Sequence, residues 1–335
     1  DELNKLGYHT ALVGKWHLGL ESPNIPNDRG FDFFHGFLGD MMNDYYHCKR
    51  GGVNWLRKDK EKVEATGQHA TDMFTDWADA YLKDRSQKND EPFFLYLAYN
   101  APHFPIQPPK EWVEKVTKRQ PKMDEGRVKA VAFVEHTDAA IGRVLAALDK
   151  YGLAENTVVV FTSDNGGSVS HHQQNDPWRG GKQDHYDGGL KVPFSVRWPG
   201  TVKAGTTSDY QGLTFDIYST FIEAAGGEPR DDLDAVSLVS LLKGEEFETP
   251  KRELYFVRRE GGGMAGKAYH AIIADGWKLM QNDPFSPLEL YNLREDPQET
   301  KNLAATEKKK FQKLTNRLSY HIQRGGETPW QQPVK

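Results

Sequence analysis

A chain of 335 residues, 37% hydrophobic and 27% charged, has the composition of an ordinary globular protein rather than a disordered or membrane one. Its 43 basic and 48 acidic residues leave a formal net charge of -5, so no overall basic excess draws it to nucleic acid. No apolar run approaches the roughly 18 residues of a membrane span, and the single cysteine, Cys48, excludes an intrachain disulfide.

The opening DELNKL lacks an initiator methionine and reads as the last turns of a helix, with Leu3 and Leu6 on one face and Gly7 as its cap. Sequence upstream of it is expected. YHTALVG, residues 8–14, becomes continuously apolar and reads as a strand that delivers Lys15 and His17 to its end. Residues 20–60 show no sustained period and read as a long loop serving a site. Met73, Trp77, Ala80 and Tyr81 predict an amphipathic helix over 67–85. PFFLYLAY, residues 92–99, reads as a buried strand, and the prolines after it exclude helix and hold His103 in an extended turn. Val128, Val131, Val134, Ile141, Val144, Leu145 and Leu148 predict a helix over 125–151, with Asp138 near its apolar stripe in a solvated or locally hydrogen-bonded role.

Val158–Phe161 is an unbroken apolar run, which suits a strand buried on both faces, and it ends in Asp164, Asn165, Gly166 and Gly167. VPFSVRW, residues 192–198, reads as a fourth strand, and residues 214–227 as a helix ended by glycine. This alternation predicts the α/β class: a mostly parallel central sheet flanked by helices over residues 1–250. From Arg252 onward ELYFVRR, YHAIIAD, GWKLMQN and ELYNL read as short antiparallel strands. A charged helix over 304–323 would cover one face of them, making residues 251–335 a smaller α+β subdomain.

Parallel strands put their carboxyl ends on one edge, where residues remote in sequence can meet. Lys15 with His17, His103, and Asp164 with Asn165 are thus expected together, joined by Lys182 from a glycine-framed loop. An Asp–Asn pair offers oxygen donors only, which suits a hard cation such as Ca²⁺ or Mg²⁺. Lysines beside a cation require an anion between them, and a tetrahedral oxyanion such as sulfate or phosphate can engage each charge with a separate oxygen. A histidine can protonate a leaving oxygen near neutral pH, and His103, flanked by Pro102 and Pro105, is the more rigidly held candidate. His171, His172 and Trp178 are candidate substrate contacts.

The motifs GYHTALVGKWHLG, APHFP, FTSDNGG, GGKQDHYDGGLKVPFSVRWPG and LYNLREDPQETKNLA together resemble those of the type I sulfatases, in the alkaline phosphatase superfamily. The resemblance keeps the family's order and runs over almost the whole chain. It implies an α/β core with a smaller C-terminal sheet domain, one Ca²⁺, and hydrolysis of a sulfuric ester. By motif it makes Lys15 and His17 partners of a catalytic aldehyde, His103 a histidine at the leaving-group oxygen, Lys182 a sulfate-binding lysine, and Asp164 and Asn165 two calcium ligands. The family's formylglycine nucleophile arises from a Cys or Ser in a motif with Pro and Arg, expected upstream of this chain together with an acidic pair for the metal. Cys48 lies downstream of GKWHLG and cannot take that role, so residues 1–335 alone are expected to be inactive. The substrate expected is a sulfated saccharide, suited by the aromatic residues of 31–55, and the location is expected to be outside the cytoplasm, as for bacterial relatives. Alternatives are a phosphodiesterase or phosphonate hydrolase of the same superfamily, and a noncatalytic protein that binds sulfated glycans. Nothing in the sequence sets an oligomeric state.

Overall fold

The computed structural model describes residues 1–88, 90–247, 251–259 and 266–326. It divides into two compact units, Asp1–Val160 with Val196–Phe247, and Phe161–Ser195 with Glu248–Lys335. The stretch that carries Asp164 and Lys182 therefore packs with the C-terminal part of the chain.

The first unit is built on a five-stranded sheet. After helix α1 (Glu2–Lys5), strand β1 (His9–Lys15) pairs in parallel with β2 (Phe33–Phe37) on one side. Ala11, Leu12 and Val13 of β1 are wholly buried, which is what its apolar run demands. β3 (Lys49–Arg50) and β4 (Val53–Asn54) form a small hairpin. β5 (Leu56–Lys58) and β6 (Glu61–Lys62) extend the main sheet antiparallel beyond β2. Helix α2 (Ala70–Arg85) leads to β7 (Phe93–Ala98), which is parallel to β1 and closes the order β6-β5-β2-β1-β7. Helices α3 (Lys110–Arg119) and α4 (Glu125–Lys150) follow, with Val116 packing on Val128 and Ala132.

Residues 20–60 are thus not one loop. β2 lies within them as a central strand, hidden from a periodicity reading because His35 and Gly36 interrupt a run of only five residues. Of the aromatics there Phe34, Phe37 and Tyr45 are fully buried in the core, while Phe31, Phe33, Tyr46 and Trp55 are half-buried. α3 also went unread, since its ten residues hold only Trp112, Val113 and Val116 as an apolar stripe. On α4, Val134 is half exposed although its spacing put it on the buried face, and Asp138 is solvated as expected.

β8 (Val159–Thr162) pairs with β9 (Phe194–Arg197) in a separate two-stranded sheet. The expectation of a strand buried on both faces fails here: Phe161 is 43% exposed, because among the described residues β9 is the only partner of β8. Tyr96 on the sheet-edge strand β7 is 51% exposed for the same reason. Helices α5 (Asp187–Leu190), α6 (Asp216–Ala224) and α7 (Val239–Lys243) complete the middle of the chain.

In the second unit β10 (Leu254–Arg259), β11 (Ala268–Ala274), β12 (Trp277–Met280) and β13 (Glu289–Asn292) make an antiparallel sheet in sequence order. Helix α8 (Lys308–Gly325) lays Leu314 and Leu318 on Ile272, Leu279 and Leu290. Strand alternation sends Ala271, Met280 and Tyr291 to the opposite face, where Tyr186 covers them. No helix among the described residues is long and apolar enough to cross a membrane.

Three histidines are pushed down to about 4 in the fold. Burial, then the charge of Lys58, lowers His35 to about 4; burial, then His136, lowers His69 to about 4; burial lowers His185 to about 4. Each is neutral when folded but titrates near its ordinary value of about 6.5 when unfolded. Between those values the unfolded chain binds the extra protons, so stability is expected to fall as pH drops from 6.5 toward 4, by on the order of 1–2 kcal/mol per histidine at pH 5. Urea unfolding midpoints at pH 7 and pH 5 check this, and equal midpoints would contradict it.

Candidate active site

β1 and β7 are adjacent and parallel, with Gly14 opposite Ala98, so the segments that follow them leave the same edge of the sheet. Gly14 sits at φ +110°, and a Cβ there would lie 2.0 Å from the Ala98 carbonyl oxygen. Only glycine allows the strands to close up directly before Lys15. Past the strand end the backbone stays laddered to β2: the Trp16 N–H donates to Phe37 O (2.9 Å) and the His17 N–H to Leu38 O (3.1 Å). The Trp16 indole N–H donates to Asn24 O at 2.7 Å. Within this anchored turn His17 adopts φ +63°, a left-handed conformation that costs a non-glycine residue about 1 kcal/mol or more.

His103 follows β7. Its N–H donates to Asn100 O (2.9 Å), and its carbonyl accepts from the buried Tyr45 hydroxyl (2.9 Å). His103 Nδ1 lies 2.8 Å from Phe104 O; a carbonyl only accepts, so Nδ1 carries the proton and Nε2 is the acceptor of the neutral ring. Asn100 at the same strand end was not singled out by sequence. Its side chain is buried with neither amide atom hydrogen-bonded, a costly state that marks this edge as specialised. Its place just after the apolar run of β7 was the available signal.

In the second unit the DNGG and GGK loops are sewn together. The Gly166 N–H donates to Gly189 O (3.0 Å) and the Lys182 N–H to Gly167 O (3.0 Å). Asn175 accepts from the Gly167 N–H and donates to Gly167 O and Gly180 O, at 2.7 to 3.0 Å. A Cβ on Gly166 would sit 1.8 Å from Gly188 O, so the two loops touch backbone to backbone. The structure thus brings Asp164, Asn165 and Lys182 into one assembly. Among the described residues the Lys182 ammonium makes no ion pair or hydrogen bond.

The Asp164 carboxylate is exposed and caps the Asn165 N–H (3.0 Å), while the Asn165 amide N–H donates to Gly166 O (2.8 Å), leaving its oxygen as the outward donor. Two side-by-side oxygen donors at a strand end fit part of the shell of a hard cation. His171 ends a short 3-10 turn and His172 lies just past it at φ +59°. Trp178 is half-buried, with the Lys191 ammonium 3.6 Å above its ring.

Another cluster has metal-ligand composition but not metal-ligand chemistry. His69, Asp72 and His136 lie with their ligand atoms within 4.8 Å of one another. His69 Nδ1 accepts from the Thr71 N–H (3.2 Å), capping α2, so Nε2 must be the protonated nitrogen that donates to Gln107 O (3.1 Å). His69 therefore has no lone pair to offer. His136 Nε2 contacts Asp72 at 3.0 Å, and Arg143 pairs with the same carboxylate at 3.2 Å. The cluster is a hydrogen-bonded joint between α2 and α4. Cys48 is equally closed to chemistry, since burial pushes its thiol up to about 12.

Comparison with known proteins adds a family signal. A family model described as Sulfatase matches residues 1–227, and one described as N-sulphoglucosamine sulphohydrolase, C-terminal, matches residues 181–327. The chain is 34% identical over 362 residues to a protein named Sulfatase from Formosa agariphila, covering 91% of this chain and 65% of that protein. It is 32% identical over 266 residues to the N-acetylgalactosamine-6-sulfatase of Homo sapiens, covering 74% of this chain and 49% of that enzyme. The crystal structure of Ps i-CgsB in complex with k-i-k-neocarrahexaose superimposes with a TM-score of 0.83 at 29% identity, covering 96% of this chain and 72% of that one. The chain thus spans about half of the human relative's length and less than two thirds of the bacterial one's.

Proposed function

Since the chain belongs to the sulfatase family, we propose that the full-length protein that contains it hydrolyses sulfate esters of a saccharide. The observation that supports the reading is the joined pair of loops that carry Asp164, Asn165 and Lys182, residues of the kind that a sulfate and its counter-cation require. The saccharide is supported by the sugar-bound neighbour and by the N-acetylgalactosamine-6-sulfatase relative.

In this reading Lys182 neutralises charge on the sulfate oxygens, and His103, with Nδ1–H held by Phe104 O, takes a second proton on Nε2 as the imidazolium and gives it to the leaving oxygen. Lys15 and His17 orient the attacking group from the end of β1. Asp164 and Asn165 supply two ligands of one Ca²⁺, which when bound adds positive charge beside the sulfate. The attacking oxygen belongs to a formylglycine outside residues 1–335, for which the buried Cys48 is no substitute. Export from the cytoplasm belongs to the same proposal.

The test gives the full-length protein a sulfated saccharide and, with the same leaving group, a phosphate diester and a phosphonate ester. Sulfate release at the highest kcat/KM is expected; preference for the phosphorus esters would replace this reading with that of a phosphodiesterase or phosphonate hydrolase. His103→Ala is expected to lower kcat for an alkyl leaving group by on the order of 10²-fold, and much less for a nitrophenol that departs without a proton. Equal losses on both would remove His103 from leaving-group protonation.

A further inference from the structure

Lys182 is the residue of its loop read above as the sulfate partner, and the residues around it are held by the C-terminal sheet. Alternation along β11 and β12 places Tyr269, Ala271, Lys278 and Met280 on one face, opposite the face covered by α8. That face grips the loop. The Tyr269 hydroxyl donates to Gln183 O at 2.6 Å, directly after Lys182. Asn282, just past β12, accepts from the His185 N–H (2.8 Å) and donates to Asp184 (2.7 Å), whose other oxygen accepts from the Gly181 N–H (2.8 Å).

The centre of the grip is ionic and dry. Lys278 is 0% exposed, and its ammonium donates to His185 O (3.1 Å), Asp187 Oδ1 (2.5 Å) and Glu299 Oε1 (2.7 Å). Glu299 is also 0% exposed; its other oxygen accepts from the Asp187 N–H (2.7 Å), and its carbonyl accepts from Arg179 (2.7 Å). Asp187 reaches on to Lys191 (3.0 Å), which covers Trp178. Both ends of the segment 179–187 are thereby fixed to Glu299, and its middle to Lys278. An ion cluster taken out of water contributes little net stability but tolerates few geometries, since each charge must keep every partner.

We propose that Lys278 and Glu299 are positioning residues for Lys182, making the C-terminal sheet the template that sets where the sulfate-binding ammonium stands. This rests on the reading of Lys182 as the oxyanion partner. It assigns the C-terminal subdomain a part in the reaction without any contact to substrate.

The experiment uses Glu299→Gln in the full-length protein. Glutamine keeps the shape but turns an amide donor toward either the Lys278 ammonium or the Asp187 N–H, so one grip is lost. The expected result is a folded protein by circular dichroism with kcat/KM for the sulfate ester lowered on the order of 10-fold or more. In a Lys182→Ala background the same change should cost nothing further, because Glu299 acts through Lys182. Amide hydrogen exchange should rise in peptides covering 179–187 and stay unchanged in α2 and β1. Losses that multiply in the double variant, or unchanged exchange at 179–187, would overturn the proposal. Should Glu299→Gln fail to fold, Tyr269→Phe removes the hydroxyl that donates to Gln183 O and accepts from Arg258, and must show the same non-additivity. A wild type without turnover of sulfate esters would sink the functional reading alone, since the exchange experiment still decides whether Glu299 holds the loop.

Discussion

Lys182→Ala in the full-length protein is expected to lower kcat/KM for sulfate ester hydrolysis by on the order of 10²-fold or more, without unfolding it. The side chain contributes no hydrogen bond or ion pair to the fold among the described residues, so truncation removes no structural partner. Its backbone N–H, which does tie the loop to Gly167 O, is untouched by the change. What is lost is a preorganised positive charge at the sulfate oxygens, and removing one such group commonly costs 10²- to 10³-fold. Thermal melting of the variant should match wild type, and the rate loss should persist at saturating substrate. A loss confined to KM would mean that Lys182 only helps the ester to bind.

Gly166→Ala attacks the same site through its frame. The added Cβ would meet Gly188 O at 1.8 Å, and this obstacle is backbone, which cannot rotate away as a side chain could. The Gly166 N–H to Gly189 O bond must lengthen, and the DNGG and GGK loops must part. Strain of this kind costs about 3 kcal/mol. A shift near 1 Å between Asp164 and Lys182 is expected to lower kcat/KM by on the order of 10²-fold even in the molecules that remain folded. Wild-type kinetics and a wild-type melting temperature in this variant would show that the two loops need not touch.

Local structure was legible where a motif is short and its backbone neighbours are its own. Strand β1 delivering Lys15, the turn holding His103, and the glycine-framed loops of Asp164 and Lys182 could all be read from residue order. The ties between elements could not. β2 escaped because FFHGF is too short to show a period, and it becomes a strand by hydrogen-bonding to β1. Phe161 looked like a core residue because an apolar run states what a strand could bury, not what lies against it. The aromatics of 31–55 looked available to a sugar, yet Phe34, Phe37 and Tyr45 were needed by the core. Lys278 is the sharpest case: in GWKLMQN it reads as a surface lysine on a short strand, and only pairing with Asp187 and Glu299, 91 and 21 residues away, makes its burial tolerable.

Ion chromatography of the sulfate freed when full-length protein is incubated with a sulfated saccharide, in buffer containing Ca²⁺, tests the central claim most directly. Many moles of sulfate per mole of protein are expected, in step with the free hydroxyl, with release reduced about 100-fold by Lys182→Ala. Saturable saccharide binding with no sulfate released would contradict the account and make the protein a binder of sulfated glycans.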